Sequence, residues 1–210
     1  PFTPETVHNR ITLKKAIKPM THVPAHLRGL LPIVAGGYIS TWSIGFFFQS
    51  LATPASVDYF AATDPLIPSL VLALAMAPSA LGGPLSARIG TRPSMIFGYS
   101  IMFCAAAALE ACMLLGVLVP YLLIEVVFAI TSGMILSSSL HMLISASTPQ
   151  ENASVVTLAN LSGYVGSTVV STIQTALTAT FDLATVYAII VLLAAISIVP
   201  GCVAMFKQRG

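Results

Sequence analysis

Six long apolar stretches dominate this chain, and each is long enough to cross a bilayer. They lie near residues 30–53, 65–86, 94–116, 119–145, 154–179 and 183–206. A helix of about 20 apolar residues covers roughly 30 Å of hydrocarbon. Inside hydrocarbon every backbone N–H and C=O must be satisfied by the protein itself, so only helices and closed barrels cross. Barrel strands would give short alternating segments, whereas these runs are long and continuous. The sequence therefore predicts an all-α integral membrane fold with six transmembrane helices.

Composition excludes the other broad classes. Of 210 residues, 56% are hydrophobic and 8% are charged, where a soluble domain carries about 25% charge. A mean hydropathy of +0.91 rules out disorder, which needs low hydrophobicity. The net charge of +2 gives no reason to expect a nucleic-acid partner. Cys104, Cys112 and Cys202 all sit inside apolar runs and read as small buried hydrophobes, not disulfide partners or metal ligands. His8, His22 and His26 match no zinc spacing and read as solvated linker residues.

The basic residues orient the spans. Residues 1–28, the 87–93 loop and the C-terminal tail together hold every Lys and Arg, from Arg10 and Lys14 through Arg88 and Arg92 to Arg209. The alternate segments hold only Asp58, Asp64 and Asp182. This pattern predicts a cytoplasmic basic linker (1–28), a six-span bundle (29–206) and a short cytoplasmic tail (207–210). Lys14, Lys15 and Lys18 are placed to meet anionic headgroups. Pro54, with Asp58 and Asp64, is expected in the first connection.

Polar side chains at bilayer depth face a bundle interior or a watery cavity. In the fifth run Thr157, Asn160, Tyr164, Ser167, Ser171, Gln174 and Thr178 recur at alternating intervals of three and four, which reads as one helical stripe. It fits a solvated pathway, with helix–helix packing as the plainer reading. In the first run Tyr38, Trp42, Gly45 and Gln49 form a shorter stripe. An aromatic and amide face suits a cavity that holds an organic ligand. The substrate-cavity candidates are accordingly Tyr38, Trp42, Gln49, Asn160, Tyr164 and Gln174.

The fourth run adds Thr131, Ser132, Ser137 to Ser139 and His141, the last read as an interfacial histidine. The third and sixth runs are nearly all apolar and read as peripheral, which leaves the first, second, fourth and fifth to line something. Pro68, Pro78 and Pro84 predict a kink or break in the second.

Glu110 and Glu125 fall within the third and fourth runs, with no basic residue at that depth. Burial disfavours a carboxylate's charged form, so both are candidates for proton coupling. Hydrogen-bonded glutamates at the headgroup boundary are the alternative.

The 83–92 segment reads Gly-Pro-Leu-Ser-Ala-Arg-Ile-Gly-Thr-Arg. It resembles the cytoplasmic signature G-x-L-x-D-R-x-G-R of the major facilitator superfamily. Gly83, Leu85, Arg88 and Gly90 match, Arg92 lies near the basic end, and Ala87 replaces the acidic residue. Thr148-Pro149-Gln150-Glu151, followed by the Asn160 and Tyr164 stripe, resembles the corresponding region of proton-coupled drug exporters.

The resemblance implies one half-bundle of that fold, a 3+3 inverted repeat, here the C-terminal half of a longer transporter. It implies proton-coupled alternating access for a small organic solute or drug, as in drug:proton antiporter-type exporters, with Gly83, Arg88, Gly90 and Arg92 as a cytoplasmic gating loop. The implied partners are the lipid bilayer, a small-molecule substrate and an N-terminal six-helix half. The implied location is a plasma or organelle membrane, with both termini cytoplasmic.

A half-bundle is not expected to transport by itself. An intramembrane enzyme is disfavoured, because no H-E-x-x-H or G-x-S-x-G pattern occurs. A non-transporting six-span scaffold, or a stand-alone homodimer, is the competing reading.

Overall fold

A computed structural model describes residues 25–207, and all of its regular structure is helical. After a short turn at Ala25–Leu27 come α1 (Leu31–Phe60), α2 (Leu66–Met76), a 3₁₀ segment (Ala77–Leu81), α3 (Gly82–Ile89), α4 (Thr91–Leu115), α5 (Leu118–Ala146), α6 (Asn152–Leu177) and α7 (Leu183–Lys207). The stretch from α2 to α3 forms one span, so six spans are long and apolar enough to cross a membrane. Most of the expected basic linker, with all its lysines, lies outside the described residues, as do the last three residues of the tail.

The prolines of the second span act according to their place in a turn. Pro68 and Pro84 fall in the first turns of α2 and α3, where a missing N–H costs nothing. Pro78 falls mid-span, and there the helix tightens into the 3₁₀ segment. Pro54 does not sit in a connection as expected. It lies inside α1, which runs six residues further, to Phe60, and takes in Asp58 as well. Ala55 and Ser56 just beyond it are buried, and that packing holds the helix together past the lost hydrogen bond. The Ser56 hydroxyl adds a bond to the Ala52 carbonyl at 2.6 Å.

α1 and α5 form the centre of the bundle. α1 packs chiefly on α7 and α6; α5 packs chiefly on α4 and on the second span. Exchanging the first three spans for the last three maps these pairings onto one another. The first–sixth pair becomes fourth–third, and first–fifth becomes fourth–second. The α4–α7 contact maps onto itself.

Hydrophobic burial does little to hold helices together in lipid, so close approach through small residues matters more. A methyl on Gly36 would lie 3.0 Å from the Ser197 carbonyl oxygen, and one on Gly201 would lie 2.9 Å from Ile33 Cα. These glycines let α1 and α7 meet backbone to backbone. Gly82 and Gly133 do the same where the second span crosses α5: a methyl on Gly133 would strike the Ser79 carbonyl. Larger residues fill the seams further along. Phe47 meets Tyr187 with ring centroids 4.8 Å apart, and Phe48 meets Phe128 at 5.5 Å.

Contacts define two ends. At one, the Tyr59 hydroxyl donates to Asp182 Oδ2 at 3.2 Å and accepts from the Ala184 amide at 2.8 Å. At the other, His26 Nε2 lies 3.7 Å from Glu151 Oε2. Arg88 and Arg92 sit at this second end, beside the turn from α3 to α4. That turn is a single residue, Gly90, with φ 94° and ψ 154°. This region is open essentially to glycine alone.

Candidate substrate cavity

A cavity of about 360 Å³ opens near the middle of the bundle. α1 contributes Thr41, Trp42, Gly45, Phe46 and Gln49. The second span contributes Ala75, Met76 and Ser79; α5 gives Ser132 and Leu136; α6 gives Tyr164. The first, second, fourth and fifth spans thus line it, and the third and sixth stay outside. Each lining residue lies near the middle of its span or within a few turns of it, which sets the cavity well inside the bilayer-sized core.

The local sequence explains the arrangement. Trp42 projects from α1 toward α6, where Gly163 makes room for it: a methyl there would lie 3.1 Å from the indole Cε3. Tyr164 then meets the indole edge-on, with centroids 4.7 Å apart and planes at 79°. Tyr38 stands on the other side of Trp42 at 5.8 Å. The Pro78 break places Ser79 against Gly133, which brings the second span close to Ser132.

Of the six residues expected in a cavity, Trp42, Gln49 and Tyr164 line this one. The other three do not. Tyr38 is 6% exposed and supports Trp42 from behind. Asn160 turns its amide back to the Val156 carbonyl at 2.9 Å, within its own helix. Gln174 is 3% exposed, with its carbonyl oxygen unpartnered.

The α6 stripe separates for a geometric reason. Its intervals average 3.5 residues, while a straight helix turns once in 3.6, so the stripe drifts by about 20° per heptad and about 60° along its length. Thr157 and Tyr164 are exposed at the start, and Gln174 is buried by the end. Thr41, Phe46, Met76, Ser79 and Leu136 were not anticipated from the sequence. The Pro78 break was the one signal that could have drawn attention to Met76 and Ser79.

The 83–92 segment is mostly helix. Gly90 makes the turn, but Gly83 lies within α3, where a methyl would come 3.1 Å from the Ser137 hydroxyl. It serves packing and does not form a turn. Arg88 and Arg92 are exposed and pair with no carboxylate among the described residues. Arg92 lines a second, smaller cleft of about 180 Å³ with Leu30, Thr91, His141 and Ser145.

Neither candidate glutamate reaches the main cavity. Glu110 is half-buried on α4. Glu125 is fully buried on α5 without a well-formed hydrogen bond; the Tyr121 hydroxyl is the group that interacts with it most directly, and Tyr187 is a further electrostatic neighbour. No group of three metal-ligating side chains occurs among the described residues.

Outside the spans two carboxylates are held below their usual range. For Glu151 the Thr148 amide is the main cause, followed by the Thr148 hydroxyl. For Asp182 it is the Thr185 hydroxyl and then the Thr185 amide. The Asp182 bonds tie its connection to α7, whereas the Glu151 bonds close the turn that precedes α6.

Comparison with known protein families, with curated proteins and with solved structures finds no match to this chain.

Proposed function

We propose that this chain is a six-span half of a transporter of the major facilitator type. It would move a small organic solute by alternating access, using proton coupling, with the basic end cytoplasmic. The observation that carries the reading is the cavity lined by the first, second, fourth and fifth spans at mid-depth. Its volume, about 360 Å³, falls within the range of small-molecule sites, roughly 300–1,000 Å³.

Two further features support it. The pairings of the first three spans repeat in the last three; an odd number of spans per unit turns the second copy over in the membrane, as in an inverted repeat. The second and fifth spans, which flank the cavity, also leave much of their surface uncovered. An N-terminal six-helix bundle laid on these faces would close the cleft. Glu125 and Glu110 remain the candidates for the proton step, and they would act from outside the cavity.

Cysteine accessibility tests the reading. Cys104, Cys112 and Cys202 are first replaced by Ala, and single cysteines are then placed at Gln49, Tyr164 and Gln174. A membrane-impermeant methanethiosulfonate is expected to label the first two and to spare the third. Protection of both Gln49 and Tyr164 from either side of the membrane would overturn the proposal.

A further inference from the structure

This inference rests on reading the cavity as a ligand site, and it concerns which ligands fit. The cavity is lined by no charged residue. The nearest charges along the lining spans are Glu125 on α5, seven residues from Ser132, and Arg88 on α3 and Asp58 on α1, which lie nine residues from Ser79 and Gln49 respectively. At 1.5 Å per residue these are separations of about 10 Å and about 13 Å. An ion entering the cavity would shed water and gain no counter-charge.

The hydroxyls divide sharply. Thr41 donates to the Gly37 carbonyl at 2.8 Å, and Ser79 donates to the Met76 carbonyl at 2.6 Å. Both use their protons on their own helices. Thr131, beside Ser132, does the same toward Phe128 at 2.9 Å. Ser132 breaks this pattern. It is 7% exposed and lines the cavity, and its Oγ lies just beneath the cavity surface without a partner. Ser43, Ser138, Ser139 and Tyr187 also carry unpartnered hydroxyls, but none of them lines the cavity; leaving such a group unpaired is costly. Around it stand Trp42, Phe46, Met76 and Tyr164, an aromatic and thioether wall that adapts to flat apolar bodies.

We propose that the cavity takes uncharged aromatic molecules carrying one hydrogen-bonding group, with Ser132 as its recognition point. Apolar contact supplies the hold, the Ser132 hydroxyl fixes orientation, and an ion is disfavoured because the cost of shedding its water exceeds the modest attraction that the ring faces return to a cation and is offset by nothing for an anion.

Trp42 is the only tryptophan in the chain, so its fluorescence reports on this site alone. The full 210-residue chain in lipid nanodiscs is titrated with 4-nitrobenzyl alcohol, 4-nitrobenzoate and 4-nitrobenzylammonium. All three share one quenching ring and differ in charge. The alcohol is expected to give saturable quenching at least tenfold tighter than either ion. Ser132→Ala should weaken the alcohol threefold or more, and Ser132→Thr should restore it. Gly45→Leu should remove the saturable component, since a side chain there enters open space, and should leave only linear quenching from the lipid.

Equal saturable binding of all three compounds would overturn the neutral class and leave the cavity standing as a ligand site. An unchanged alcohol affinity in Ser132→Ala would overturn the role of Ser132. Absence of saturable quenching by any compound would overturn the ligand-site reading itself.

Discussion

Gly163 on α6 lies directly against Trp42 on α1: a methyl group added to the glycine would come 3.1 Å from the indole Cε3 and 3.2 Å from Tyr38 Cδ1. The contact joins the two helices at the depth of the cavity and sets the angle of its aromatic wall. Gly163→Ala forces the indole to shift or α6 to retreat. The shift needed is a few tenths of an ångström. Trp42 emission should change, as fluorescence spectra of the variant and the parent in detergent would show. Unchanged emission would mean that the ring is free to move and that Gly163 does not position it.

Gly133 and Gly45 make opposite predictions for the same substitution. A methyl at Gly133 would strike the Ser79 carbonyl, which is backbone and has nowhere to go. Gly133→Ala should therefore separate the second span from α5 and destabilise by about 1–3 kcal/mol or more. Gly45 has nothing within 4 Å of the added group. Gly45→Ala should gain up to about 1 kcal/mol from helix propensity, while narrowing the cavity. Parallel melting curves of the two variants check this, and similar melting temperatures would contradict the close crossing at Gly133.

The spans were legible in the sequence because apolar length is a direct consequence of membrane thickness, and only their ends moved. α1 passed through Pro54 because tertiary packing at Ala55 and Ser56 outweighs one lost backbone bond. The cavity was half legible. Trp42, Gln49 and Tyr164 were marked by their chemistry, but Asn160 satisfies itself within its helix and Gln174 drifts out of register with the cavity face. Ser132 stood out only as one polar residue in a run of several. Its lack of a partner, set against the bonded Thr131 beside it, depends on side-chain rotamers that no sequence spacing encodes.

Asp182 gives a pH dependence with a definite sign. Its carboxylate receives the Thr185 hydroxyl at 2.6 Å, the Thr185 amide at 3.1 Å and the Tyr59 hydroxyl at 3.2 Å. These bonds hold its pKa below the usual range, with the Thr185 hydroxyl as the largest cause. A lowered folded-state pKa contributes stability above the unfolded value, about 3.9. That contribution is lost as pH falls through the folded value. Asp182→Asn should thus melt lower than the parent at pH 7, and the gap should close as pH drops below about 4. A gap that stays constant from pH 7 to pH 3 would show that the carboxylate charge contributes nothing at this connection.

Glu125 separates stability from function. It is fully buried and has no well-formed hydrogen bond, only the Tyr121 hydroxyl interacting with it. Replacing a buried, unsatisfied polar group by an apolar one of similar shape is neutral or stabilising, by about 1–3 kcal/mol at most. Glu125→Met should therefore leave the melting temperature unchanged or raise it. If the group carries the proton step, proton-driven uptake by the complete transporter should be lost in the same variant, while Glu110→Gln distinguishes whether the second glutamate shares the task. A fall of several degrees in Glu125→Met would show instead that the carboxyl group helps hold α5 and α7 together beside Tyr121 and Tyr187, and the proton-coupling role would lose its structural basis.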